Sequence, residues 1–156
     1  KEACIISAQA LQVAGEAVKP GVTTWEIDKI AYDFIKKCGA TPNFLNYGGY
    51  PATACISIND EVIHGIPSKD RVIKDGDIVS IDLGAAKHGY NGDNAATFIC
   101  GTCSPEVKRW TQQENLFIRE SKLLSRATES AISVTQCNHI VKSVDTVWFV
   151  TLSVTA

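Results

Sequence analysis

Two aspartates stand in sequence that otherwise favours β-strands. The stretch 77–100, DIVSIDLGAAKHGYNGDNAATFIC, holds apolar runs at 78–83 and 95–99 around a loop with His88, Gly89, Asn91 and Gly92. This predicts two antiparallel strands joined by a polar, glycine-containing connection. Each strand carries one carboxylate, Asp82 and Asp93. Aspartate is depleted in strands because it packs poorly there and competes for backbone hydrogen bonds. Two carboxylates on paired strands can point into one space and hold a hard or borderline cation. They read equally well as two solvated strand ends.

Other residues could do chemistry nearby. His64 sits in VIHGIP, and a lone histidine among apolar neighbours is more often a satisfied core residue than a functional one. Phe44, Tyr47 and Tyr50 lie in a loop at 41–51 rich in glycine, proline and asparagine. Such a loop can wall an apolar pocket or simply plug the core. Cys100 and Cys103 form a lone CxxC with no second pair or spaced histidines, so a zinc site is not indicated. Most of the six cysteines read as small buried hydrophobes of a reducing compartment.

These residues need a scaffold. Apolar positions Ile5, Ala8, Leu11, Val13, Ala14 and Val18 predict a helix over 1–18, stopped by Lys19-Pro20-Gly21. Thr23 and Glu26 form a capping box for a second helix, 24–38. Ile27, Ile30, Ala31, Phe34 and Ile35 would be its buried face, and Gly39 its left-handed cap. Strands follow at 55–58 and 62–67, then a charged turn at 70–77. The expected fold class is α+β: an antiparallel sheet over 52–100 with both helices on one face. Leu116, Phe117, Leu123 and Leu124 suggest a further helix over 110–130, and 144–156 reads as an apolar strand.

Bulk properties narrow the function. At 156 residues the chain can bury one real core. A net charge of −2 with no basic run excludes nucleic acid and anionic membranes as obvious partners. No apolar stretch reaches membrane-spanning length, and no signal peptide is visible. The chain has no methionine and begins at Lys1, which points to a piece of a longer gene product.

The runs ACISINDEVIHGIPS, GDIVSIDLG and GYNGDNAATF together resemble the type I methionine aminopeptidases, as do KPGVTTWEID and NYGGYPATAC upstream. The resemblance covers residue 1 to about 108. It implies the first half of the pita-bread (creatinase/aminopeptidase) fold, and a domain over 1–109. It implies two divalent ions of the cobalt, manganese, iron or zinc class, with Asp82 on one and Asp93 bridging both. His64 falls on the histidine that contacts substrate and stabilises the reacting amide. Phe44, Tyr47, Tyr50 and Cys55 fall on or near the pocket for the methionine side chain. The implied partners are N-terminal methionyl peptides of nascent proteins, met in the cytoplasm by a monomer. Asn91 departs from the histidine often found there, but that position is not a ligand.

The family's second half supplies a Gly-His-Gly histidine and two glutamates. His139 lacks flanking glycines, and Glu114, Glu120 and Glu129 read as a solvated helix face. Reading the residues of 144–156 from the third base of each codon permits GYGVVRDLVGHG, which carries the missing Gly-His-Gly. The expectation is therefore a frame slip near Arg109, with 110–156 an off-frame tail and the chain catalytically incompetent. The alternatives are a non-catalytic binding module, or a non-functional fragment that exposes apolar sheet surface.

Overall fold

Strict alternation along one strand, β3 (Ile78–Lys87), organises the molecule. In the computed structural model, which describes residues 1–113, Val79, Ile81 and Leu83 are fully buried while Ser80 and Asp82 between them are half-buried. Successive side chains of a strand point to opposite faces, so β3 presents an apolar face and a polar one.

β4 (Tyr90–Ile99) pairs antiparallel with the whole of β3, from Ile78 opposite Ile99 to Lys87 opposite Tyr90. The connection is only two residues, and His88 and Gly89 both have positive φ, 53° and 78°. That is the conformation of a type I′ hairpin turn, whose twist matches that of the flanking strands. The other edge of β3 pairs with β2 (Ala54–Ile58), Cys55 lying opposite Asp82. It also pairs with the short β1 (Thr41–Pro42), Thr41 lying opposite Ala86.

Two helices cover the apolar face. One buried cluster joins Ile6, Ala10 and Leu11 of α1 (Glu2–Glu16), Ile27, Ala31 and Ile35 of α2 (Thr24–Lys37), Ile56 of β2 and Val79, Ile81 and Leu83 of β3. The expected α+β arrangement, with both helices on one sheet face, is the one observed. The α2 capping box also forms: Glu26 N–H donates to Thr23 Oγ1 at 3.2 Å, and Thr23 N–H to Glu26 Oε2 at 2.8 Å. Gly39 takes the expected left-handed conformation, φ 66°.

The face that α1 buries differs from the expected one. Ala3, Ile6, Ser7, Ala10, Leu11, Ala14 and Gly15 are buried, whereas Ile5 is 48% exposed and Ala8 is exposed too. The helix ends at Glu16, two residues early. Close approach is the reason. A Cβ on Gly15 would sit inside the ring of Phe98, and one on Gly92 would meet the Ala3 carbonyl. Small residues win this face because β4 lies directly beneath it.

The expected strand at 62–67 is irregular. Only Gly65 engages β2, accepting from Ile56 N–H at 2.8 Å and donating to Ser57 Oγ at 3.0 Å. A left-handed His64, φ 61°, breaks the strand before a ladder can form. Downstream, 71–73 folds back on 21–24: Thr24 N–H donates to Arg71 O at 3.0 Å and Ile73 N–H to Val22 O at 2.8 Å. Of the expected helix at 110–130 only 110–113 fall within the described residues, and they are helical. The expected strand at 144–156, His139, Glu114, Glu120 and Glu129 lie outside them. No described helix is long and apolar enough to cross a membrane.

Candidate metal centre

The register decides where the carboxylates go. Asp82 stands opposite Ala95, and Asp93 opposite Gly84. Residues 82 and 84 share the face away from the helices, so Asp93 is the diagonal neighbour of Asp82 there, close enough for side chains to interact. Both are mid-strand, not at the strand ends.

Their electrostatics follow from that placement. Burial, reinforced by the negative charge of Asp93 and by a hydrogen bond to it, pushes the Asp82 carboxyl up to about 6. Burial also raises Asp93, while the hydrogen bond from Asp82 opposes the rise. A proton on Asp82 would be donated to Asp93, which is why the same hydrogen bond raises one carboxyl and lowers the other. Around it the face is small and polar: Ser57, Ser80, Gly84 and Thr97, with Ser80 and Thr97 hydroxyls 3.0 Å apart. Among the described residues, no large apolar side chain of this face is exposed. Exposed apolar residues lie instead in the 62–66 loop, where Val62 is 80% and Ile63 67% exposed.

Cys55 flanks Asp82 across the other edge of β3. Its thiol is raised chiefly by burial, and Asp82 adds to the rise. The Tyr50 hydroxyl bridges the carbonyls of Ala54, 3.0 Å, and Gly65, 3.3 Å. Its pKa is pushed well up by burial first, then by its hydrogen bond with Cys55. Tyr50, Cys55 and Asp82 are thus one contiguous group, and the Tyr50–Gly65 bond brings the residue after His64 to it. His64 itself is exposed, which sets aside the core-histidine reading of VIHGIP. A left-handed histidine is uncommon, and such conformations persist where their surroundings hold them. Tyr47 opens the 3-10 turn Tyr47–Gly49; its carbonyl accepts from Tyr50 N–H at 3.0 Å, while its side chain is 81% exposed. Phe44 is half-buried between the two.

One supporting residue had no sequence signal. Asp28, on α2, accepts the N–H groups of Thr53 at 2.9 Å and Ala54 at 2.8 Å. Burial raises its carboxyl, and those two bonds partly counter this. It anchors the start of β2, hence the carbonyl that Tyr50 grips and the position of Cys55. In the sequence it is one more polar residue of an amphipathic helix.

The donor set suits a hard or borderline divalent cation along one edge. It does not surround one. Among the described residues no group of three or more histidine, cysteine, aspartate or glutamate side chains could hold a metal.

Comparison with known proteins agrees with this geometry. The methionine aminopeptidase of Clostridium acetobutylicum is 45% identical over 138 residues, covering 86% of this chain and 55% of the relative. That of Aquifex aeolicus is 43% identical over 150 residues, covering 92% and 56%. The chain spans about half the length of these relatives. Among solved structures, the methionine aminopeptidase of Thermotoga maritima superposes with a TM-score of 0.74 at 36% identity, over 76% of this chain and 48% of that one. The prolidase of Pyrococcus furiosus shares the fold at lower similarity, TM-score 0.59 and 29% identity, over 69% and 30%. The description of metallopeptidase family M24 matches residues 1–148. With a pita-bread sheet, a paired-carboxylate hairpin and a family match that runs through most of its length, the chain belongs to metallopeptidase family M24.

Proposed function

We propose that this chain is the first half of an aminopeptidase that removes the N-terminal methionine of nascent proteins. The observation that carries the reading is the diagonal Asp82–Asp93 pair, which like-charge repulsion would disfavour unless a cation or proton sat there. Asp82 would hold one divalent ion and Asp93 would bridge two, of the cobalt, manganese, iron or zinc class. The chemistry such ions supply when bound is polarisation of the scissile carbonyl and activation of a water. The chain's own residues do the rest. Tyr50 and Cys55 offer a half-buried ring and a buried sulfur against which a thioether packs well, with Phe44 and Tyr47 at the loop's outer part. His64, exposed and left-handed, would donate to the peptide at the reacting amide. A cytoplasmic monomer acting on N-terminal methionyl peptides fits this reading.

A second reading has its own support. Two donors leave each ion largely to water, and ligand number sets affinity. The chain as written would then be a non-catalytic module of the same family. We further propose that the frame slips near Arg109 and that 110–156 is an off-frame tail. Codon choice supports this, and a family match continuing to residue 148 weighs against it.

One experiment separates the enzyme from the module. The full 156-residue chain is titrated with Mn²⁺ or Co²⁺ by calorimetry and assayed on Met-Ala peptide. Metal binding without hydrolysis is the expected result. Robust hydrolysis would refute the need for a second half, and absent metal binding would remove the site itself. Independent sequencing of the gene across the Arg109 codon settles the frame.

A further inference from the structure

Gly65 is the buried point of an otherwise exposed segment. Val62, Ile63 and His64 before it and Ile66 after it are all exposed. Three hydrogen bonds fall on this one residue. Its N–H donates to the buried Ser57 Oγ at 3.0 Å. Its carbonyl accepts from Ile56 N–H at 2.8 Å and from the Tyr50 hydroxyl at 3.3 Å. The approach to β2 is so close that a Cβ at 65 would lie 2.2 Å from the Ile56 carbonyl oxygen. Glycine alone fits there.

The segment is tied at both ends as well. Glu61 pairs with Arg71 at 2.6 Å and donates its N–H to Ile58 O at 3.2 Å. Ser68 N–H donates to Thr24 Oγ1 at 2.9 Å, and Thr24 Oγ1 to Ser68 O at 3.2 Å. His64 stands between these ties, next to Gly65, with φ 61°. A residue with a Cβ holds that conformation at an energetic cost, and only where its surroundings over-determine it. The bonds to Gly65 are the adjacent constraint. One of them is backbone, as any chain laid along a strand could make. The other two come from side-chain hydroxyls. The Tyr50 O–H is shared with the Ala54 carbonyl at 3.0 Å, so it ties the His64 segment to the end of β2 that Asp28 anchors.

We propose that the hydroxyls of Tyr50 and Ser57 are positioning groups for His64: together they pin Gly65 to β2 and so fix the point from which the imidazole is presented. Tyr50 then has two separable parts, a ring that walls the pocket and a hydroxyl that sets the loop. Ser57 serves the site without touching substrate. The role rests on the reading of His64 as the residue that meets the substrate amide.

The test uses the full chain labelled with ¹⁵N and ¹³C, with Tyr50→Phe, Ser57→Ala and Ser57→Thr. Cα and Cβ shifts of His64 report its backbone, amide exchange at Gly65 reports the pin, and the His64 ring shifts report contact with added Met-Ala peptide. His64→Gln identifies the ring signals among the three histidines. Tyr50→Phe and Ser57→Ala should move His64 out of the left-handed shift range, speed exchange at Gly65 about 5-fold and abolish the ring response. Ser57→Thr keeps an acceptor and should behave as the parent. Tyr50→Phe, which removes one oxygen atom, decides the matter if Ser57→Ala unfolds. Unchanged His64 shifts in either hydroxyl-deleting variant overturn the proposal, as does a ring response that either retains. Shift changes spread through β3 and β4 overturn it too, since they mark hydroxyls that merely hold the sheet. A parent whose His64 ring ignores Met-Ala refutes the reading of His64 first, and the positioning role falls with it.

Discussion

The two faces of β3 are built from alternate residues of one strand, and they obey different rules. Towards the helices, Val79, Ile81 and Leu83 are sealed from solvent and backed by isoleucines of α1 and α2. Away from them, Ser80 bonds to Thr97, Asp82 is pressed against Asp93, and Gly84 leaves room for Asn43. The first face lowers free energy by burial. The second holds groups that raise it in the absence of a ligand. A strand can sustain the second because neighbouring residues, 3.3 Å along the chain, anchor the first.

The contrast can be broken most severely from the apolar side. Leu83→Ala should destabilise the chain by about 2–5 kcal/mol in urea unfolding, since it leaves a cavity in the cluster. Ser80→Ala, one face over, should cost far less, and an equal loss would show that the faces are not energetically distinct. Next comes the seating of α1. Gly92→Val should cost about 1–3 kcal/mol by forcing the helix off β4, with a blunted cooperative melt as a second sign. A change under half that size would mean that α1 has room to lift. Thr23→Ala should cost about 1 kcal/mol by removing the α2 cap, with metal affinity unchanged, because the loss falls on the packed side alone.

A last test probes the polar face directly. The Asp82 carboxyl is raised to about 6 in the folded chain, above its ordinary value near 3.8. A raised acid contributes stability that is full below the unfolded value and is lost as pH climbs through the folded one. Metal-free protein should therefore melt lower at pH 7 than at pH 5. Asp82→Asn should flatten that slope, and Mn²⁺ should reverse it at pH 7. A melting temperature independent of pH across this window would show that the two carboxylates do not share a proton.

Much of this was legible in the sequence where the causes are local. The Thr23–Glu26 box, the Gly39 cap and the alternation of 78–83 each act within a few residues, and each appears as expected. The face of α1 was not legible, because Ala3, Ser7 and Gly15 carry no hydrophobic signal. Their smallness matters only once β4 is beneath them, with Phe98 under Gly15, Gly92 under Ala3 and Asn94 under Ser7. The stretch 62–67 misleads because Val62 and Ile63 favour strands, whereas His64 turns the chain left-handed, φ 61°. Asp28 owes its role to partners 25 and more residues away, beyond any local pattern.

The hairpin at His88 and Gly89 has a further consequence. Because it is only two residues long, it is a length standard for everything paired beyond it. One residue added there would slide β4 by a step, and a step in a strand exchanges its faces. Asp93 would turn beneath α1, Gly92 would take its place opposite Gly84, and Asn94 would stand opposite Asp82. The geometry of the carboxylate pair is thus set by a count of residues in a solvent-exposed turn, and a single inserted codon would erase it while leaving every side chain of the site intact.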